Sequence, residues 1–110
     1  FAAALSTGGI NDAIPGRVGD VPLIGCGLYA GPDGAVAATG DGEYIAMQMT
    51  AFRAYQLIEQ GVDPKEIVAT AISWFKKPIS FGIIVVSKTG FAGGSNDSMA
   101  WTASEIEISL

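Results

Sequence analysis

From Tyr44 to Phe75 the apolar residues of this chain recur at helical spacing, whereas on both sides they fall in short runs bounded by glycine, proline and aspartate. That change of period most constrains the fold, because a helical pattern does not settle in a sheet, nor a strand pattern in a helix. The first helix is expected over Tyr44–Gln60, with Ile45, Met49, Phe52 and Tyr55 or Leu57-Ile58 on one face and Gly61 as its stop. The second opens at Asp63-Pro64-Lys65-Glu66, where Asp63 is the cap, Pro64 occupies the first turn and Glu66 stands three residues on. Its apolar stripe is Ile67, Val68, Ala71, Ile72 and Phe75; Lys76-Lys77 suits the negative end, and Pro78 lies just beyond. The methionines and aromatics of both helices are read as core. So short a connection implies an antiparallel pair.

The flanks read as strands. Phe1–Leu5 is expected as a buried strand delivering Ser6-Thr7-Gly8-Gly9 to a loop. Gly25-Cys26-Gly27-Leu28-Tyr29-Ala30 has the spacing G-x-G-x-x-A, but a dinucleotide site needs a helix to open at those glycines. Here the turn sequence Gly31-Pro32-Asp33-Gly34 follows at once, which excludes that site. Ala35–Ala38 is a short strand, and Ser80–Val86 a nearly continuous apolar one. Lys88-Thr89-Gly90 is a turn and Phe91–Gly94 the returning strand of a hairpin. Asn96-Asp97-Ser98 fits a glycosylation sequon and is discounted for want of a secretion signal. Glu105–Leu110 alternates like a half-exposed strand. Residues 1–110 therefore form a single α+β domain whose sheet has one face covered by a helix pair.

Composition removes several classes of function. A net charge of −5 with scattered basic residues argues against nucleic acid. No apolar run approaches the roughly 20 residues of a membrane span. Yet the chain is 49% hydrophobic and 15% charged, so its surplus apolar surface needs a partner chain. The single cysteine, Cys26, forms no internal disulfide and leans towards a reducing, cytoplasmic setting. Histidine is absent, which removes Ser-His-Asp and Cys-His nucleophiles and the commonest transition-metal ligand; no metal or cofactor is expected.

Two loops carry chemistry. Pro15-Gly16-Arg17-Val18-Gly19-Asp20 sets a cation and a carboxylate three residues apart between glycines. Arg17 can grip a carboxylate with two parallel hydrogen bonds and Asp20 can accept from an ammonium, so the pair matches the two charged ends of an amino acid. Alternatively, Arg17 and Asp20 bond to each other and close a surface turn. In Thr39-Gly40-Asp41-Gly42-Glu43 a strand runs through glycines into a helix, which presents amides suited to an anion or a developing oxyanion. The plain reading of the same loop is a cap, with Asp41 or Thr39 capping and Glu43 in the first turn.

Ser6-Thr7-Gly8-Gly9, Gly16-Arg17-Val18-Gly19-Asp20 and Thr39-Gly40-Asp41-Gly42-Glu43, in that order, resemble the β subunit of plant-type asparaginases and isoaspartyl peptidases, which are N-terminal-nucleophile hydrolases. The likeness continues through Ile83–Gly90 and Ser98-Met99-Ala100-Trp101. The resemblance implies a four-layer αββα sandwich, to which this chain gives part of the sheets and one helix pair. It implies assembly with the α subunit of the same precursor, after autocleavage, into an (αβ)2 particle. The implied reaction is hydrolysis of asparagine or isoaspartyl peptides through a threonine acyl-enzyme, the threonine being activated by its own α-amine. Arg17 would hold the substrate α-carboxylate and Asp20 the α-amine. Thr39 and Gly40 would form the oxyanion hole, the Gly42 amide would help seat the carboxylate, and Thr7 would hydrogen-bond to the nucleophile. In the family that nucleophile stands about a dozen residues before the position of Thr7, with its amine free. The expectation is thus a β subunit lacking its first dozen or so residues, inactive alone; the alternative is a nucleophile-less amino-acid-binding or interaction subunit.

Overall fold

A computed structural model of the chain describes residues 1–5, 15–16, 18–19, 21–76, 79–97 and 99–104. Its strands are β1 (Leu28–Gly31), β2 (Gly34–Gly40), β3 (Phe81–Ser87) and β4 (Gly90–Ser95), in one antiparallel sheet of order β1-β2-β3-β4. Both hairpin turns fall where the sequence places them: Pro32-Asp33 joins β1 to β2, and Lys88-Thr89 joins β3 to β4. Between β2 and β3 the chain leaves the sheet for three helices, α1 (Gly42–Met47), α2 (Thr50–Glu59) and α3 (Pro64–Ser73). The architecture is α+β. Glu105–Leu110 lies outside the described residues, and so does the Lys77-Pro78 stop after the second expected helix.

Because side chains alternate along a strand, the two sheet faces differ. Val36 and Ala38 of β2, Phe81, Ile83 and Val85 of β3, and Ala92 of β4 join Ile45, Tyr55, Ile58 and Ile67 from the helices, and Phe75 just beyond α3, in one core. Phe75 and Phe81 stack with ring centres 4.1 Å apart, worth about 0.5–1.5 kcal/mol beyond the area they bury. The opposite face carries Ala35, Ala37, Ile84 and Val86, with Trp101 lying over Gly93. Ala2–Ala4 lie beside Phe91 and Trp101 and line a half-open cavity of about 240 Å3 on the sheet. They form no strand: Phe1–Leu5 has no ladder among the described residues, and Phe1 is exposed. The expected buried strand is therefore a largely exposed segment beside the sheet, unpaired among the described residues.

The expected single helix from Tyr44 to Gln60 is two helices. Met49 takes the left-handed conformation at φ 49°, and the chain bends there. The cause is distant in sequence. The Ala51 amide donates to the Cys26 carbonyl (2.9 Å) and the Phe52 amide to the Gly25 carbonyl (3.0 Å), so the loop before β1 caps α2. Those amides would otherwise bond to the Met47 and Gln48 carbonyls and continue one helix. The buried Thr50 hydroxyl donates to the Ile45 carbonyl at 2.9 Å and closes the bend. The bend also turns the methionines outward: Met47 is 82% and Met49 45% exposed, so neither belongs to the core. Arg53 holds the other side of the joint, donating to Gln48 Oε1 (2.7 Å) with its guanidinium 4.0 Å above the Trp74 ring.

Candidate active site

β2 ends in Thr39-Gly40 and α1 begins at Gly42, so Asp41 sits at the junction of sheet and helix. Gly40 has φ 140°, a backbone region that side chains rarely adopt. A Cβ there would stand 2.0 Å from the Ser80 carbonyl oxygen and 2.8 Å from the Phe81 Cα. Since those obstacles are backbone, only glycine fits. Thr39 projects to the sheet face opposite the helices. Its hydroxyl oxygen is shielded from solvent and lacks a hydrogen-bond partner among the described residues, which is costly unless something else meets it.

Asp41 does not cap α1 with its side chain, contrary to the plain reading of the loop. Its backbone carbonyl accepts the amides of Tyr44 (3.1 Å) and Ile45 (3.3 Å), while its amide donates to the Ser80 carbonyl at 2.9 Å. The carboxylate reaches across the sheet instead, where Oδ2 accepts the Ser80 amide at 2.9 Å. The result is one more rung of the β2–β3 ladder after the Gly40–Phe81 pair. In an ordinary rung two residues exchange both backbone hydrogen bonds. Here the helix has claimed the Asp41 carbonyl, and the carboxylate takes its place.

The other side of β3 repeats the device. The Asn96 amide donates to the Phe81 carbonyl (3.1 Å) and Asn96 Oδ1 accepts the Phe81 amide (2.9 Å), one residue past the Gly82–Ser95 pair. Asn96 Nδ2 donates to the Ile79 carbonyl at 2.7 Å, so the amide nitrogen that a sugar would take is already committed to the fold. The start of β3 is thus held on both sides by side-chain oxygens standing in for backbone ones.

Of the residues singled out in the sequence, the structure brings Thr39, Gly40 and Gly42 together at this junction. Thr7, Arg17 and Asp20 lie outside the described residues. Pro15 and Gly16, which precede Arg17, form an exposed turn with Gly16 at φ 87°. Ser80 and Asn96 were not read from the sequence as part of the site. The only signal was an asparagine directly after a strand, which also serves a sequon. The 240 Å3 cavity is lined by none of the junction residues and does not mark the site.

Residues 1–107 match the asparaginase family. An isoaspartyl peptidase/L-asparaginase of Homo sapiens is 42% identical over 109 residues, covering 94% of this chain and 35% of that protein. The protein of the same name from Macaca fascicularis is 41% identical over 109 residues, with the same two coverages. The N(4)-(beta-N-acetylglucosaminyl)-L-asparaginase of Rattus norvegicus is 39% identical over 98 residues, covering 86% of this chain and 28% of that protein. The chain thus spans about a third of the length of the relatives it matches. With a family match over nearly all its residues, the chain belongs to the asparaginase family.

Proposed function

We propose that the complete protein to which this chain belongs hydrolyses the side-chain amide of asparagine or the β-aspartyl bond of isoaspartyl peptides. The observation that carries this reading is the likeness, over 94% of the chain, to proteins named for both activities. The junction lends physical support. Thr39 offers a buried hydroxyl without a described partner, and Gly40 admits no side chain that would fence off its backbone.

In this reading a threonine outside these 110 residues attacks the amide carbonyl, and its own α-amine takes the hydroxyl proton. As the carbonyl becomes tetrahedral, Thr39 and Gly40 donate to the oxygen that gains charge. A single such donor is typically worth about 10²–10³ in rate. The amine or ammonia departs, leaving an ester that water hydrolyses. Arg17 clamps the α-carboxylate with its planar fork, Asp20 accepts from the α-amine, the Gly42 amide helps seat the carboxylate, and Thr7 hydrogen-bonds to the nucleophile. The chain is then the β-subunit part of an autocleaved precursor, paired with its α subunit in an (αβ)2 particle. The sheet face of Ala35, Ala37, Ile84 and Val86, with Ala2–Ala4 and Trp101 against it, faces the interior of an αββα sandwich. Exposed Ile24 and Met47 add apolar surface for the rest of the protein to cover.

The test is ammonia release from asparagine, and aspartate release from a β-aspartyl dipeptide, by the complete protein. Thr39→Ala should lower kcat by about 10²-fold or more while the protein stays folded. A complete wild-type protein that turns over neither substrate would overturn the reading.

A further inference from the structure

We infer that Asp41 is a positioning residue for this reaction, holding the Thr39–Gly42 segment in place through the Ser80 amide. The inference rests on the functional reading above and extends it to a side chain that touches no substrate. Ordinary capping is ruled out as the role of this carboxylate, because it makes no bond to the amides of its own helix. Its one partner among the described residues is the Ser80 amide, 39 positions away in sequence.

The location gives that bond its consequence. Thr39 and Gly40 precede Asp41 and Gly42 follows it, so every described residue assigned to the oxyanion or the substrate carboxylate is within two positions of the anchor. Main chain holds β2 to β3 through the Gly40–Phe81 pair and one further bond, from the Asp41 amide to the Ser80 carbonyl. Beyond it α1 is only six residues long and ends at the bend before Met49, so the helix itself is a weak fixture. The reciprocal Asp41–Ser80 pair, at 2.9 Å in both directions, carries the sheet's rigidity one residue further, into the turn between the two glycines. Ser80 is in turn a firm base. The next residue, Phe81, is fully buried and stacked on Phe75, and Asn96 grips both Ile79 and Phe81. Donors to a transition state must hold to about 0.5 Å, so losing the carboxylate half of this rung, with only the Asp41 amide bond left, should show in rate more than in binding.

The experiment measures kcat and KM for asparagine in the complete protein bearing Asp41→Ala, Asp41→Asn or Asp41→Glu, with Asp63→Ala as control. Asp63 is also a helix N-cap, but it accepts only from its own helix at Lys65. Asp41→Ala should lower kcat about ten- to a hundredfold and change KM by less than about threefold. Asp41→Asn retains an oxygen for the Ser80 amide and should stay within about threefold of wild type. Asp41→Glu keeps the charge but carries it one carbon too far, and should lose rate as the alanine variant does; this pair decides the matter even if Asp41→Ala does not assemble. Asp63→Ala should lose stability and keep kcat. An Asp41→Ala enzyme with wild-type kcat, or a Glu variant that works where the Asn variant fails, would overturn the inference while leaving the functional reading intact. A wild-type protein inactive on both substrates would remove both.

Discussion

Two helices in this domain begin after a glycine and an aspartate, and the two beginnings are built for different purposes. At α3, Gly61 turns the chain at φ 81° in open space, Asp63 accepts the Lys65 amide at 2.9 Å, and Pro64 fills the first position. Everything that start requires lies within a few residues. At α1, Gly40 is wedged against the Ser80 carbonyl, and Asp41 sends its carboxylate to the Ser80 amide rather than to its own helix. One start stabilises a helix; the other fixes a strand end to its neighbour and leaves the helix amides to other partners. Among the described residues the amides of Gly42 and Glu43 have no backbone acceptor. The difference between the two aspartates separates a helix cap from a strand-to-strand tie.

The comparison breaks most visibly at the glycines. Gly40→Ala puts a Cβ into backbone that cannot move aside, in a φ region alien to alanine. The strain and the overpacking together should cost about 3–5 kcal/mol. Gly61→Ala has the same sign of φ and nothing within 4 Å, so only the conformational penalty of about 1–2 kcal/mol applies. Urea unfolding of the complete protein measures both. Equal losses would mean that Ser80 yields and that the α1 junction is no tighter than the α3 one.

The same contrast explains what was legible in the sequence. The α3 start was readable because Asp63, Pro64 and Glu66 fall within four residues and the Asp63 cap bond reaches only to Lys65. The β3–β4 hairpin and the turn at Pro32-Asp33 were readable because Lys88-Thr89 and Pro32-Asp33 decide their turns locally. The bend at Met49 was not. Its residue type fits a helix, and the carbonyls that end that helix come from Gly25 and Cys26. Long-range contacts override local propensity, and they turn outward Met47 and Met49, which residue type and helical spacing place in the core. At the proposed site, the Thr39–Gly42 junction itself could be picked out, because a strand entering a helix through glycines is a local pattern. Ser80 and Asn96 could not, since they contribute through β3 pairings that only the sheet register creates.

Asp63→Ala comes next in size. It removes the acceptor for the Lys65 amide and should cost about 1 kcal/mol, the usual price of losing an aspartate cap. The readout is the shift of the unfolding midpoint, with Asp63→Ser expected to restore most of the loss because its hydroxyl also accepts at that position. A serine variant as unstable as the alanine one would mean that Asp63 acts through its charge rather than its hydrogen bond, and the two aspartates would then differ less than their geometry indicates.

The smallest effect concerns the acidic residue in each first turn, Glu66 in α3 and Glu43 in α1. A carboxylate there interacts with the positive end of the helix, a contribution of about 0.3–1 kcal/mol at low ionic strength. The α3 helix has ten residues, and its aligned peptide dipoles can supply that end; α1 has six and then bends, so it supplies less. Glu66→Gln should therefore lower stability by a few tenths of a kcal/mol up to about 1, and Glu43→Gln by less. Both losses should shrink in about 1 M salt, where screening confines exposed charges to about 3 Å. A Glu66→Gln loss that persists in high salt would point to packing of the side chain rather than to its charge. A Glu43→Gln loss larger than that of Glu66→Gln would mean that α1 is stabilised by its own first turn after all, and would weaken the case that its start is organised around Ser80.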